Sequence, residues 1–231
     1  MVTADQTVTP PAAGAGSHQS GQAVVLSGVS WEAYVGIGEL LRDQPVRLNY
    51  LDDSLEITTL SFEHELLKKL LGRLVETLTE ELGIDAVAGG STTMRRQDRS
   101  RGLEPDECYW VAHEMQMRGR GDFDPAIDPP PDLAIEIEVS RGLLNRREIY
   151  ASLRIPEVWL YDGRTVRILL LSGDGTYAEA AKSQAFPFFP VADLARFLQL
   201  RATASHTDLV RQFRSWVREQ VAAGVFPKPC T

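Results

Sequence analysis

Cysteine is scarce: the 231-residue chain holds two, Cys108 and Cys230. They form no CxxC spacing, so neither a zinc site nor a disulfide framework is indicated, and a reducing, cytoplasmic setting is the default. No apolar run approaches the length that spans a bilayer, and the N-terminus lacks the basic-then-apolar pattern of a secretory signal. No P-loop, GxGxxG or nucleophile elbow is present, so a nucleotide cofactor has no sequence support. Positive charge is also in deficit. The net charge is −8, which disfavours tight non-specific binding to a phosphate backbone, although a local basic patch can sit on an acidic protein.

What is present is ordinary globular content, 43% hydrophobic and 24% charged. Residues 1–22 are rich in Thr, Pro, Ala, Gly, Ser and Gln and are expected to form a disordered tail. Ser30 caps a predicted helix Trp31–Leu41. Strands Val46–Leu51 and Ser54–Thr59 flank the turn Asp52-Asp53. Ser61 opens the clearest helix, Phe62–Leu82, in which Leu66, Leu67, Leu70, Leu71, Leu74, Val75, Leu78 and Leu82 share a face that is either core or a homodimer surface; Gly83 ends it. Strands are expected near Asp85–Ala88, Ser91–Arg95 and Glu107–Val111, with Gln97–Gly102 a polar loop. A long Gly- and Pro-rich loop leads to Pro131. Further expectations are a strand Leu133–Ser140, a helix Asn145–Leu153, a hairpin of Val158–Asp162 with Thr165–Leu171, and helices Val191–Leu198 and His206–Ala223. The order implies one α/β domain around a mixed sheet over residues 23–200, with a helical extension over 201–231.

The informative strand is Asp132–Ser140. Alternation puts Asp132, Ala134, Glu136, Glu138 and Ser140 on one face and Leu133, Ile135, Ile137 and Val139 on the other, which must be core. Three carboxylates without a base on one face repel one another. Either arginines or lysines from a neighbouring element relieve them, or a hard divalent cation does. Asp106 opens the strand that ends at Val111. If the two strands are neighbours, Asp106 faces Glu136. Asp132 is either an outer ligand or a turn residue. Arg95, Arg96, Arg99 and Arg101 cluster just before Asp106, placed to meet a phosphate backbone or to balance nearby acids. Tyr109, Trp110, Trp159 and Tyr161 read as core, and His64 as a cap or surface residue.

Pro105-Asp106 ahead of an apolar strand, and a later strand carrying Glu136-Ile137-Glu138, resemble the PD-(D/E)XK nuclease superfamily. Within it the chain resembles the Uma-two family of restriction endonuclease-like bacterial proteins. The matching stretches are Tyr50-Leu51-Asp52 with Leu55-Glu56-Ile57, Glu63-His64-Glu65, Gly90–Thr93, Gly102–Tyr109, Pro131–Ser140, Ile149–Ala151, Ile155–Trp159 and Tyr161–Gly163. They cover roughly residues 25–200. The resemblance implies a restriction-endonuclease-like fold, a mixed central sheet flanked by helices, that hydrolyses DNA phosphodiesters with magnesium or manganese. Asp106 and Glu136 match the metal-binding acids. Glu65, or Glu63, matches the acid that an N-terminal helix supplies; alternatively both are first-turn acids that meet the helix dipole. Glu138 stands where the superfamily carries its catalytic lysine, and Arg146, or Arg147, stands where this family supplies a cation from the next helix. Arginine stabilises negative charge but stays protonated, so it cannot act as a base. The departure leaves open a catalytically inactive fold that serves as a nucleic-acid or protein-interaction module.

Overall fold

A computed structural model describes residues 21–138 and 142–229. The expected tail up to residue 20, Val139, Ser140 and Cys230 lie outside the described residues. The fold is mixed α/β, as expected, but its strands form two sheets and not one. The first sheet is antiparallel, in the order β1 (Ala23–Ser27), β3 (Ser54–Thr59), β2 (Val46–Leu51), β6 (Arg101–Leu103), β5 (Met94–Arg96). The second runs β11 (Tyr177–Ala180), β10 (Val166–Leu171), β9 (Glu157–Tyr161), β8 (Leu133–Ile137), β7 (Glu107–Trp110), β4 (Val87–Ala88). Among the described residues of this sheet, β8–β9 pair parallel and the other neighbours antiparallel.

Local chemistry sets the turns. The β2–β3 hairpin closes with two residues, Asp52 (φ 42°) and Asp53 (φ 59°), between the paired Leu51 and Ser54. Aspartate tolerates the left-handed region that such a turn demands. Helix α1 (Trp31–Leu41) starts at Ser30, whose hydroxyl accepts from the Ala33 N–H. Helix α2 (Phe62–Leu82) starts likewise at Ser61, which accepts from the His64 N–H, and ends at the left-handed Gly83 (φ 60°). Three strands were not expected. Strand β6 overlaps the end of the supposed polar loop, and its Gly102 packs where a Cβ would overlap the Tyr34 phenol. Strands β1 and β11 are sheet edges with weak patterning.

The long helix keeps its leucine face inside the chain. Leu67, Leu70, Leu71, Leu74 and Leu78 join Leu133, Ile135, Ile137, Trp159 and Tyr161 of the second sheet in one buried cluster. The segment expected as a C-terminal extension joins the same cluster through Leu209, Phe213 and Val217 of α6 (His206–Ala222) and packs beside α5 (Asp193–Gln199). The expected loop after Val111 contains one short helical turn, α3 (Glu114–Met117). On the opposite side of β8, Ala134 shares a second cluster with Leu103, Leu160, and Ile149 and Tyr150 of α4 (Arg146–Ser152). Among the described residues no helix is long and apolar enough to cross a membrane.

Candidate active site

Both faces of β8 are buried, so its acidic side is not a wet surface. Leu133, Ile135 and Ile137 face the α2 cluster, and alternation turns Glu136 towards α4 and the first sheet. Strands β7 and β8 pair antiparallel with Glu107 opposite Ile135 and Cys108 opposite Ala134. Continued by one residue, that register sets Asp106 against Glu136, and the Asp106 N–H donates to the Ile135 carbonyl at 3.1 Å. Asp106 is 0% exposed and Glu136 1%. Two carboxylates so deep require partners.

The partners come from four elements. Arg47 reaches in from β2. Its Nη2 pairs with Asp106 Oδ1, and its Nη1 lies 3.6 Å from Glu136 Oε2. The Ile137 N–H donates to Asp106 Oδ2 at 2.7 Å. His64, in the first turn of α2, sets its Nε2 3.0 Å from Asp106 Oδ1 and its Nδ1 3.2 Å from Glu65 Oε1. From α4, Arg146 and Tyr150 both donate to Glu136 Oε1. They are four residues apart, hence on one helix face. Neighbouring Asn49 donates to Glu56 Oε1 at 2.8 Å, and Glu56 Oε2 accepts from the Leu144 N–H at 2.9 Å, tying the segment before α4 to the first sheet. Ser91 donates to the Asp106 carbonyl at 3.3 Å and receives Lys68, so the Gly90-Ser91 turn anchors the strand start.

A cavity of about 380 Å³ lies beside these groups. Arg47, Asn49, Glu56, His64, Glu138, Arg146 and Arg147 are among the residues that line it, and Asp106 and Glu136 are not. Burial pushes the Glu136 carboxyl above the usual range, while Arg146 and Arg47 oppose that shift. Burial, reinforced by Arg47, holds His64 down at about 4, so its imidazole is neutral at pH 7. Burial and Arg146 bring Arg47 down to about 10, which leaves it charged at neutral pH. Glu136 Oε2, His64 Nε2 and Asn49 Oδ1 are buried without a hydrogen-bond partner among the described residues.

The sequence-derived candidates divide accordingly. Asp106, Glu136 and Arg146 converge. Glu138 is half-exposed and faces Arg167 at 3.6 Å. Glu65 meets Asp106 only through His64, and Glu63 pairs with Arg201 at 2.5 Å. Asp132 is a turn residue: it accepts from the Val111 and His113 N–H groups at 2.7 and 3.0 Å and meets His113 Nδ1 at 2.6 Å. The four clustered arginines make internal contacts. Arg95 stacks over Tyr34. Arg96 is held by Asp98 and the Pro125 carbonyl, Arg99 by the Ser152 carbonyl, and Arg101 by Asp52 and Glu148. His64 is buried in the site and is not a surface residue.

Sequence reasoning missed Arg47, His64 and Tyr150. A signal existed for two of them. Val46-Arg47-Leu48-Asn49-Tyr50 alternates, with two polar residues on one strand face, and Tyr150 is one turn on from Arg146.

The magnesium or manganese implied by the resemblance does not fit this arrangement. Magnesium is held by one or two carboxylates with water completing its shell, so the question is whether the carboxylate oxygens are free. Here Asp106 is fully engaged and one Glu136 oxygen is already covered by α4. The charges of Asp106 and Glu136 are balanced by Arg47 and Arg146. Among the described residues, no three His, Cys, Asp or Glu side chains gather to hold a metal ion.

A family model described as "Putative restriction endonuclease" (Uma2) matches residues 31–205. Among solved structures, the chain is similar to one described as a putative nuclease from Anabaena variabilis. The two share 14% identity over 72% of this chain and 90% of that one, with a TM-score of 0.43. No curated protein matches the chain.

Proposed function

Because the chain belongs to the Uma2 family, whose description is a putative restriction endonuclease, we propose that it is a nuclease that hydrolyses phosphodiester bonds of DNA at the cavity lined by Arg47, His64, Arg146 and Arg147, beside Asp106 and Glu136. The observation that carries this reading is the meeting of two opposed buried carboxylates with two guanidinium groups beside a 380 Å³ cavity. Phosphodiester hydrolysis needs positive charge where the phosphoryl oxygens gain negative charge, and an acceptor for the proton of the attacking water. Arg146 and Arg147 line the cavity as the fixed positive charge, and neither can deprotonate. Glu136 Oε2 makes no hydrogen bond among the described residues, burial raises its proton affinity, and Arg47 Nη1 covers it at 3.6 Å, so it is the acceptor for the water's proton once Arg47 draws back from it. Asp106 and Tyr150 act on Arg47 and Glu136 as positioning residues. No step here depends on magnesium or manganese, which enter this reading only if Arg47 withdraws.

A second reading has its own support. The cation in the lysine's place is an arginine, and both acids are neutralised by guanidinium groups. That arrangement suits a non-catalytic module that binds nucleic acid or protein. One experiment separates the two. Labelled single-stranded and duplex DNA and RNA are incubated with the protein in magnesium, manganese or EDTA, wild type beside Glu136→Gln. Hydrolysis that falls by about a hundred-fold or more in the variant supports the nuclease. Equal rates in the two proteins, or none in either, leave the binding module.

A further inference from the structure

Opposed carboxylates at Asp106 and Glu136 follow from strand register alone, and something must offset their repulsion. In this chain the offset comes from within. Arg47 is 6% exposed, although arginine is seldom buried unless paired. Strand β2, in the other sheet, carries it to the pair, and the planar fork of guanidinium lets its two terminal nitrogens address two carboxylates at once. Arg146 covers the remaining Glu136 oxygen from α4. The four groups sum to zero charge. An incoming divalent ion meets two fixed positive charges in a poorly screened interior, and of the four carboxylate oxygens Glu136 Oε2 alone makes no hydrogen bond among the described residues. Glu65, the expected third ligand, is turned to His64.

We propose that Arg47 is the resident cation of this site: its guanidinium bridges Asp106 and Glu136 in the place that a divalent metal takes between paired acids, and so keeps metal out. The inference rests on the reading of these two acids as the reacting pair. It makes metal loading a property of one arginine and not of the acids alone.

The test is manganese binding followed by electron paramagnetic resonance, on the full chain, for wild type, Arg47→Gln, Asp106→Asn and the double variant Arg47→Gln/Asp106→Asn. Wild type is expected to bind no manganese at the pair up to about 1 mM. Arg47→Gln is expected to bind at least about tenfold more tightly, and the double variant to lose that gain. If Arg47→Gln does not fold in EDTA, manganese is expected to restore its melting transition. Tight wild-type binding that Asp106→Asn abolishes overturns the role of Arg47 and leaves a metal site at the pair intact. An Arg47→Gln protein that neither binds manganese nor is stabilised by it overturns both.

Discussion

Removing Arg47 is the sharpest test of how the interior holds two acids. In Arg47→Met the stem volume is kept and the charge is lost. Asp106, fully buried, then keeps only the Ile137 N–H and the neutral His64, while Glu136 keeps Arg146 and Tyr150. Breaking a buried ion pair from one side costs about 3–5 kcal/mol, because the stranded charge remains desolvated. A domain stability is on the order of 5–15 kcal/mol, so the loss is a large fraction of the total. For a chain of this size it lowers the melting temperature by about 10 °C. The assay is urea unfolding at pH 7.5 in EDTA, where no metal can replace the arginine. Two further results follow from the same geometry. Asp106→Asn added to Arg47→Met costs less than the sum of the single changes, since the stranded charge is gone. The deficit also shrinks as pH falls, because burial raises the Glu136 pKa and the acid takes up a proton early. A loss below about 1 kcal/mol, or a deficit that does not change with pH, refutes the claim that Arg47 neutralises the pair.

Two other predictions concern groups near and far from the site. The His64 imidazole, held at about 4 in the fold against an ordinary 6.5, stays neutral where the unfolded chain binds a proton. Its contribution is therefore full above about pH 6.5 and is lost as pH falls towards 4, by at most about 3 kcal/mol; the raised Glu136 acts in the opposite sense. His64→Gln should flatten the fall of the urea midpoint between those values, and an unchanged slope rejects this origin. Glu157 is fully buried and accepts from the Trp159 indole at 2.5 Å and the Gln184 and Ala185 N–H groups at 2.7 and 2.8 Å. Glu157→Ala should cost about 2–4 kcal/mol by orphaning three donors, with no change in cleavage by the folded protein; near-wild-type stability would mean that the donors find other partners.

Patterning that repeats along one element was legible in the sequence. The leucine stripe of α2, its Ser61 and Gly83 caps, the Asp52-Asp53 turn and the alternation of β8 are local, and each leaves a periodic or positional mark. Assembly between elements was not. Strand β6 is three residues long and holds a glycine that is dictated by Tyr34, sixty-eight positions away. The split into two sheets depends on which strand edges meet, and no periodicity encodes that.

The site shows the same division. Repulsion among the β8 acids was visible, and so were its two remedies, a neighbouring base or a metal. The choice between them rests on where β2 lies, because Arg47 reaches the pair only after the two sheets are packed. Conversely, the arginines nearest in sequence to Asp106 make a basic cluster on paper but are spent on Tyr34, Asp98, Ser152 and Asp52. Proximity along the chain overstated their availability and hid a residue 59 positions before Asp106. A buried acid is neutralised by whatever charge the fold brings to it. For that reason the acids of this family's motif do not by themselves fix what the site binds, and the strand across the sheet boundary has to be read with them.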